Sequence, residues 1–405
     1  MEKSRFIFYN PHASVHFGAE TFYILTRRKS ANKYNYLIKY LIKNEGKVYV
    51  YLDRTSFIFK KMDNIFGKLL YIFEFYFWCI CNKYNPFKFR IILNKDKIKK
   101  EDKLFLFIFP FLQEMYDKKV ESILSLENTK FIHTTHYFSE IETVAKNIKN
   151  AKNYYYIGEN NLSKNSNFFN KYLNYSNKKK FITLPFIFQD RFKKIIKYDS
   201  RIKYCVATGT LFIIDKEDSG KLQSMINYFG VNVLHPMRKE LYENKEYFKD
   251  LITILISNYY DKKPEKIIKK DNIFIKLYKG FKYAFFSKQV KYFKFNIVTT
   301  FNEYKLFIVP EEIIGLPGIS FVEGMACGCV YVGKKDNMYQ DLGMISGKHY
   351  IGYDGTKEDL KKVLEFYKKH PEKLNEIAKK GYNFARKKFN SENVAKKFFK
   401  EIKKL

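Results

Sequence analysis

The sequence predicts an α/β protein with two domains, each built around a parallel sheet. Short apolar runs typical of buried strands alternate with amphipathic helical segments in both halves of the chain. A length of 405 residues is enough for two ordinary domains, each with its own core. The hydrophobic fraction of 46% is typical of a globular chain and excludes a disordered one.

The first elements along the chain follow a βαβ pattern. Residues 5–9 and 48–52 are strand-like, and residues 32–44 carry an apolar stripe at helical spacing. A strand–helix–strand order of this length predicts that the two strands are parallel. Ligands of such sheets bind at the carboxyl ends of the strands, which is where residues 10–20 are expected to lie.

The remainder of the first half continues this pattern, with strand-like runs at residues 89–93, 103–109, 130–138 and 154–157 and a helix at about 111–124. Two histidines, His133 and His136, interrupt the third of these runs, and strand alternation places them on opposite faces. A histidine at a strand end can reach a ligand. A strand histidine can equally be a core residue bonded to a backbone carbonyl, and both interpretations stay open.

A domain boundary is expected near Phe188, within the run FITLPFIFQDRF. Pro185 stiffens the crossing, and the polar QDR that follows suits a linker. The predicted units are residues 1–188, residues 189–388 and a terminal helix in 389–405. In the second half, strands are predicted at 203–210, 231–234, 305–309, 330–332 and 350–355, an amphipathic region at 235–260, and helices at 220–229, 358–369, 371–388 and 391–405.

The net charge of +33 is extreme and comes from lysine more than arginine. Lys, Asn, Ile, Phe and Tyr are enriched together along the whole chain, which indicates an AT-rich coding bias. A nucleic-acid-binding face would concentrate arginines on one element, so nucleic acid is not expected as a partner. Peripheral contact with an anionic membrane is a secondary role for the charge, because each nearby Lys adds about 1 kcal/mol.

The five cysteines favour neither a disulfide framework nor a zinc site, because their number is odd and their two close pairs have C-x-C spacing. No signal peptide precedes the first strand, so a cytoplasmic location is expected.

No run reaches the roughly 20 apolar residues that span a bilayer. The nearest is residues 69–81, which is short and interrupted by Glu74. We expect a buried core helix there. The alternative is a patch that dips into the membrane interface, with Tyr71 and Trp78 as interfacial aromatics.

The run GLPGISFVEGMACGCVYVG, residues 315–333, carries the strongest functional motif. It predicts a Gly/Pro-rich loop, a short helix with one acid (Glu323), a stop at Gly328 and an apolar strand. A helix start attracts anions, and an acid one turn in accepts hydrogen bonds from ribose or sugar hydroxyls. The combination predicts a nucleotide-sugar site. In a simpler interpretation, Ser320 and Glu323 form a capping box that only completes the helix start.

This run resembles the motif of retaining GT-B glycosyltransferases of the GT4 type, the group 1 glycosyl transferases. Glu323 followed by Gly-Met-Ala-Cys-Gly fits the second half of that motif. The family's first acid lies eight residues earlier, where this chain has Gly315. A longer loop would bring Glu312 to the same place. The resemblance implies two facing Rossmann-like domains, with a C-terminal helix that crosses back to the first domain.

The resemblance also implies roles for particular residues. In the first domain, Gly18 would contact the acceptor, and His136, with His133 as the near alternative, would lie beside the donor sugar. In the second domain, Glu312 would bind hydroxyls of the sugar and Glu323 those of the ribose. The donor diphosphate would be bound by the start of the helix and by a lysine, assigned here to Gly318, Ile319, Ser320 and Lys216. Thr210 stands where the family has a phosphate-binding arginine, and Arg238 matches no family motif.

The activity implied is transfer of a sugar from an NDP-sugar to a glycan or lipid-linked acceptor, with retention and without a metal or other cofactor. The acceptor hydroxyl would lose its proton to the departing phosphate. By analogy, the pathway would be bacterial surface polysaccharide or lipopolysaccharide biosynthesis, at the inner face of the cell membrane. Two other classes stay open: a non-catalytic GT-B-like sugar-binding or scaffold protein, and a nucleic-acid-binding protein that only the net charge supports.

Overall fold

The computed structural model describes residues 4–14, 16–17, 33–53, 65–107, 118–134, 138–174, 180–214, 219–258 and 295–405. These residues form two parallel sheets with helices on their faces. The first sheet has seven strands in the order β3-β2-β1-β4-β5-β6-β7. Its strands are β1 (Phe6–Tyr9), β2 (Val48–Tyr51), β3 (Phe89–Ile92), β4 (Lys103–Leu106), β5 (Thr129–His133), β6 (Tyr154–Gly158) and β7 (Phe181–Thr183).

The second sheet has five strands in the order β12-β11-β10-β8-β9 among the described residues. They are β8 (Lys203–Leu211), β9 (Ile252–Asn258), β10 (Tyr304–Ile308), β11 (Val330–Lys334) and β12 (Ile351–Tyr353). Every pairing within the two sheets is parallel, as the alternation of strands and helices predicts. The order of each sheet reverses beside its first strand, so ligand-binding crevices are expected at the carboxyl ends of β1 and β4 and of β8 and β10.

The helices of the first half are α1 (Asn35–Glu45), α2 (Ile65–Cys81), α3 (Lys118–Leu124), α4 (Ile141–Ile148), α5 (Leu162–Asn165) and α6 (Asn167–Leu173). Those of the second half are α7 (Ser219–Phe229), α8 (Pro236–Glu243), α9 (Ile297–Glu303), α10 (Ser320–Ala326), α11 (Asn337–Asp341), α12 (Lys357–Lys369), α13 (Pro371–Lys388) and α14 (Ser391–Ile402).

Helix α14 belongs to the second half in sequence but packs on the first sheet. Phe399 lies in the same buried cluster as Phe6 and Phe105, and its ring stacks on Tyr40 at a centroid distance of 5.5 Å. The Lys103 ammonium, at the start of β4, donates to the backbone carbonyl of Ile402 at 2.6 Å. The predicted fold class, two Rossmann-like domains with a terminal helix that returns to the first, is confirmed.

The structure differs from the sequence predictions at two places in the second half. Residues 231–234 do not form a strand; Val233 makes only an isolated antiparallel bridge to Ile213. The region predicted as amphipathic from 235 to 260 contains α8 and then strand β9. That strand lies at the edge of the sheet, and several of its side chains are only partly buried.

Helix α2 is not the buried core helix that its composition predicts. Only one face is buried, and Tyr71 and Trp78 lie on that face, so neither is an interfacial aromatic. Large apolar side chains on the opposite face are exposed to solvent. Of the helices in the described ranges, none combines the length and the hydrophobicity that crossing a bilayer requires.

Candidate active site

The two domains meet along the carboxyl ends of their strands. The Phe168 ring of α6 packs against the rings of Tyr228 and Phe229 at the end of α7, at centroid distances of 5.3 and 5.5 Å. On the exposed rim, the Lys164 ammonium lies 3.3 Å from an Asp341 carboxylate oxygen. A cavity of about 360 Å³ opens beside this contact and is bordered by the loop at residues 311–315.

Glu311 and Glu312 follow β10 directly, but their carboxyl groups have different surroundings. Glu311 Oε1 accepts hydrogen bonds from the backbone N–H of Lys334 at 3.0 Å and from the hydroxyls of Tyr331 and Tyr339. Glu311 is therefore fixed within its own domain. Glu312 is not held in this way. Its Oε2 is shielded from solvent and has no hydrogen-bond partner among the described residues.

A tight turn accounts for the extra loop length before the helix. The Gly315 N–H donates to the Glu312 carbonyl at 2.8 Å, and the Glu312 N–H donates to the Leu316 carbonyl at 2.9 Å. Gly315 has a φ of +81°, a conformation that favours glycine. The turn absorbs residues 312–315, so Glu312 remains next to the helix despite its different spacing from Glu323.

Burial raises the pKa of Glu312 to about 7. The positive charges of Arg238 and Lys33 oppose this increase, and the carboxyl of Glu159 adds to it. Lys33 and Glu159 belong to the first domain, whereas Glu312 and Arg238 belong to the second. The charges that act on Glu312 therefore come from both domains.

Glu323 lies on helix α10, whose inner face packs on β10 and β11. Gly324 is required there, because a Cβ at this position would collide with the ring of Phe307. Burial raises the pKa of Glu323 to about 7, while the charge of Arg191, a hydrogen bond with the Ser320 side chain and the charge of Lys33 lower it. Lys33 thus acts on both Glu312 and Glu323, which indicates that the two carboxyls face one region.

The predicted capping box is not formed at this helix. The helix begins at Ser320, its N-cap residue is Ile319, and no side chain caps it. Glu323 therefore does not complete the helix start. Helix α10 has only seven residues, so its dipole is small and an anion beside it needs cationic side chains as well.

Arg238 on α8 provides such a cation. Its guanidinium donates to the carbonyl of Thr210 at 3.0 Å and to that of Pro310 at 3.1 Å. The guanidinium also lies against the loop before α10 and against β8. A Cβ on Gly318 would be 3.7 Å from Nη2, and a Cβ on Gly209 would be 2.8 Å from Nε. Arg238 is thus held at the ends of β8 and β10, beside the loop that precedes α10.

The guanidinium of Arg238 reaches the carboxyl end of β8 from α8. Arg238 lies 28 residues beyond Thr210 in sequence, so no local motif could reveal it. The only sequence clue is its location after His235 and Pro236, at the start of a helix.

The opposing wall of the cleft belongs to the first domain. His133, at the end of β5, has its Nε2 2.9 Å from the Tyr34 hydroxyl and 3.4 Å from Oε1 of Glu159. Tyr34 also donates to Glu159. The His133 ring stacks on Phe107 and lies 4.9 Å from the ring of His16. His133 therefore forms part of a polar cluster at the carboxyl ends of the strands.

Several buried polar groups at these strand ends have no hydrogen-bond partner within the described ranges. They are both amide atoms of the Asn160 side chain, Oγ1 of Thr210, Nδ1 of His235 and Oε2 of Glu312. Asn160 follows β6 and is fully buried. A buried polar group without a partner costs roughly 1–3 kcal/mol, so such groups concentrate where a ligand completes them. A ligand rich in hydroxyl groups would satisfy donors and acceptors together.

Three of the predicted site residues, Gly18, His136 and Lys216, lie outside the described residues. Gly318, Ile319 and Ser320 form the loop end and first turn at α10, and Gly318 lies beside Arg238. In the described part of the chain, no group of three or more His, Cys, Asp or Glu side chains is arranged to hold a metal ion.

Sequence reasoning missed Glu159, Asn160 and Lys33 altogether. Glu159 and Asn160 come directly after β6, so the rule that ligands bind at carboxyl ends of strands could have identified them. Lys33 has no comparable clue, because it is one of many lysines and only the fold brings it opposite Glu312 and Glu323.

Comparisons with known proteins agree with this architecture. Residues 291–400 match a family described as "Glycosyl transferase-like". The fold is GT-B: the chain is similar to Anabaena HepE, solved with UDP-glucose, at 13% identity and a TM-score of 0.51, covering 99% of this chain and 100% of that one. The chain is also similar to a sucrose-phosphate synthase from Thermosynechococcus elongatus, at 10% identity and a lower TM-score of 0.47, covering 99% of each chain. No curated protein sequence matches the chain.

Proposed function

We propose that the protein is a retaining, metal-independent glycosyltransferase of the GT4 type that uses a nucleoside diphosphate sugar. The observation that carries the proposal is the convergence of Glu312, Glu323 and Arg238 on the loop before α10. Two buried carboxyls and a guanidinium at one strand edge fit a ligand with both hydroxyl groups and a diphosphate. The glycosyl transferase-like match of residues 291–400 includes Glu312 and Glu323, though not Arg238, and supports the same activity.

The donor diphosphate is assigned to Arg238, with Lys216 as a second cation. A guanidinium can bind two phosphate oxygens at once, and its charge stabilises the negative charge that develops on the leaving diphosphate. The N–H groups of Gly318, Ile319 and Ser320 add hydrogen bonds at the same place. The cationic protein groups thereby take the role that a divalent metal has in other glycosyltransferases, which is the basis for proposing metal independence.

The two carboxyls are assigned to hydroxyl groups of the donor. Glu323 accepts from the ribose and Glu312 accepts from the transferred sugar. Both tasks require the carboxylate form, which predominates only above a pH of about 7 in the absence of donor. Arg238 and Lys33 favour that form, and donor hydroxyls that donate to the carboxylates would favour it further.

Retention is proposed by front-face attack. The bond from the anomeric carbon to the diphosphate breaks, an oxocarbenium-like centre forms, and the acceptor oxygen bonds to the same face. The departing phosphate oxygen takes the proton of the acceptor hydroxyl, so a protein base is not needed. His136, or His133 as its alternative, is assigned to a hydroxyl near the anomeric carbon, and Gly18 to the acceptor.

The proposed acceptor is a glycan or a lipid-linked glycan, with assembly of bacterial surface polysaccharide or lipopolysaccharide as the pathway. Reaction at the inner face of the cell membrane is part of this proposal. Resemblance to GT4 proteins and the lysine-rich surface support it.

A panel of UDP-, GDP- and ADP-sugars tests the proposal. One donor should raise the melting temperature, because a ligand that binds only the folded state stabilises it by mass action. Addition of acceptor glycans should then release the nucleoside diphosphate. Glu312→Gln should slow release by roughly fivefold to 150-fold, since an unmatched buried polar contact costs roughly 1–3 kcal/mol.

The matched control is Glu311→Gln, whose carboxylate is bound within its own domain. That variant should lower the melting temperature while retaining turnover in the folded fraction. Stabilisation by a donor without any release of nucleoside diphosphate would instead identify a non-catalytic sugar-binding protein. No stabilisation by any donor, with retained binding of DNA or RNA, would overturn the proposal in favour of a nucleic-acid-binding protein.

A further inference from the structure

Helix α2 exposes a continuous apolar face. Six large apolar side chains on this helix are between 42% and 81% exposed, namely Ile65, Phe66, Leu69, Phe73, Tyr76 and Ile80. At 100° per residue, these positions fall within an arc of about 100°. We call these six residues the α2 face. Single exposed apolar residues are ordinary on protein surfaces, whereas a contiguous set of this size marks an interaction site.

The opposite side of the same helix is fully used by the fold. Phe75 and Trp78 are buried against Phe89, with ring centroids 5.2 and 6.3 Å apart. The helix is therefore anchored to the first domain by one face, and its orientation is fixed. The α2 face cannot turn inward without breaking these contacts.

The surroundings of the α2 face are cationic. Lys68, Lys83, Lys88 and Arg90 are exposed on and after the helix. Residues 65–92 contain one acid, Glu74, and it is buried. Phe87, next to Lys88, is 85% exposed and adds an apolar side chain among these cations.

We propose that the α2 face, with these cations, docks on an anionic lipid bilayer. An apolar stripe with lysine and arginine at its borders is what an interfacial helix requires, because the apolar side chains enter the acyl boundary while the cations meet phosphate headgroups. The lack of an exposed acid in residues 65–92, with Lys68 exposed on the helix itself, favours a bilayer with anionic headgroups over a protein groove. With 17 residues, α2 is about 25 Å long, which is sufficient to lie along a surface.

Docking in this orientation brings the cleft close to the membrane. The ring of His12, in the turn that follows β1, lies 5.9 Å from the ring of Phe75 on the buried side of α2. The carboxyl end of β1 is on the side of the cleft assigned to the acceptor. This consequence, delivery of a lipid-linked acceptor along the bilayer, rests on the proposed function, whereas docking itself does not.

Vesicle flotation of the full-length protein tests the proposal. Wild-type protein should float with vesicles of equal parts phosphatidylcholine and phosphatidylglycerol, and much less with phosphatidylcholine alone. Leu69→Ser with Phe73→Ser should reduce flotation at least about tenfold, because two large apolar contacts are removed. The matched control is Ile195→Ser with Ile202→Ser, two strongly exposed residues of the second domain, which should float as wild type does.

A native probe gives a second measurement. Cys81 is exposed at the end of α2, whereas the other four cysteines are buried. An environment-sensitive dye on Cys81 should shift its emission to shorter wavelength when anionic vesicles are added. Circular dichroism verifies that each variant is folded, and thermal stabilisation by the donor reports the proposed function independently of lipid.

Two results would overturn docking. One is a wild-type protein that does not float with anionic vesicles. If sedimentation then shows dimers that the double variant abolishes, the α2 face is a contact between two copies of the chain instead. The other is a double variant that floats as well as wild type, which would assign membrane binding to charge alone.

Discussion

At the scale of single residues, the site depends on an arginine that is close in space and distant in sequence. Arg238 is held by the carbonyls of Thr210 and Pro310, so it joins the ends of β8 and β10. The guanidinium also lies beside Gly318 in the loop before α10, which is the basis for assigning it to the donor phosphate.

Replacement of Arg238 should weaken donor binding. Because hydrogen bonds with charged groups are worth about 1.5–3 kcal/mol, Arg238→Ala should raise the donor Kd by roughly tenfold to 100-fold. Arg238→Lys, which keeps the charge but not the paired geometry, should give an intermediate Kd. Isothermal titration calorimetry measures these values.

The matched control is Lys239→Ala, one residue further along α8, where the ammonium lies 4.0 Å from Glu243 at the surface. Its donor Kd should equal that of wild type. A folded Arg238→Ala protein with an unchanged Kd would remove Arg238 from the phosphate site.

Glu323 links the site to stability and pH. Its folded pKa of about 7 exceeds its unfolded value of 4.5, so the folded state binds the proton more tightly. Protonation of Glu323 therefore stabilises the folded state by up to about 3 kcal/mol. This stabilisation is complete below pH 4.5 and is lost as the pH rises through 7. Glu323→Gln carries no such charge. The unfolding free energy of the variant minus that of wild type should therefore be larger at pH 8 than at pH 5. Sugar transfer by the variant should fall sharply.

Urea denaturation at the two pH values checks this prediction, with the exposed Glu365→Gln as the control. Equal stability differences at pH 5 and pH 8 would show that Glu323 is not a carboxyl with a raised pKa. Near-normal turnover in Glu323→Gln would remove it from the donor site.

At the scale of elements, helix α14 completes the core of a domain to which it does not belong in sequence. Five of its residues are buried, and Phe399 contacts the rings of Phe6 and Phe105. The surface pairs Lys43–Glu392 and Lys403–Glu45 lie at the edge of the same contact. Exposed pairs of this kind contribute little, so the apolar contact accounts for most of the attachment.

Phe399→Ala should therefore destabilise the first domain. Removal of a buried phenylalanine side chain costs about 3–5 kcal/mol. Denaturation followed by the fluorescence of Trp78, the only tryptophan of the chain, reports on that domain. Phe87→Ala, at an exposed position, should change stability by less than about 0.5 kcal/mol. Equal effects of the two substitutions would show that α14 is not part of the first core.

The elements that the sequence predicted well are those with complete burial. Strands β1, β4 and β10 are buried and apolar along their whole length or nearly so. The bounds of β1 and β10 were predicted to within one residue, and β4 begins where predicted but ends three residues earlier. Strand β9 carries a comparable apolar run and was missed because that run was assigned to a longer amphipathic region. The exposed side of α2 was missed because Phe, Ile and Leu surround the helix, so periodicity could not distinguish a buried face from an exposed one.

The site was predictable only where it is local in sequence. Glu323 and the loop before it form one contiguous motif, and Glu312 lies a few residues away. The other residues come from distant parts of the chain. Arg238 lies on α8, Lys33 lies before α1, and Glu159 follows β6. Their convergence depends on the strand order of two sheets and on the contact between them, which no single stretch of sequence encodes.

At the scale of the whole molecule, the charge of +33 has different effects on the two proposed ligands. The donor site is shielded, whereas the cations around the α2 face are exposed. An increase from about 0.1 M to 1 M salt shortens the Debye length from about 10 Å to 3 Å. Vesicle binding should fall more than about tenfold, while the donor Kd should change less than about threefold. Parallel calorimetry and flotation across this range check the difference, and an equal loss of both would indicate that the donor is bound by surface charge.

The return of α14 to the first domain also determines when that domain can mature during protein synthesis. Ribosomes add roughly 5–20 residues per second, and domains that appear first generally fold first. Here the strands of the first sheet are made early, but the helix that covers Phe6 and Phe105 is made only with residues 391–402. The whole second domain emerges in between. An apolar patch on the nascent first domain, beside Phe6 and Phe105, therefore stays uncovered while residues 184–390 are made.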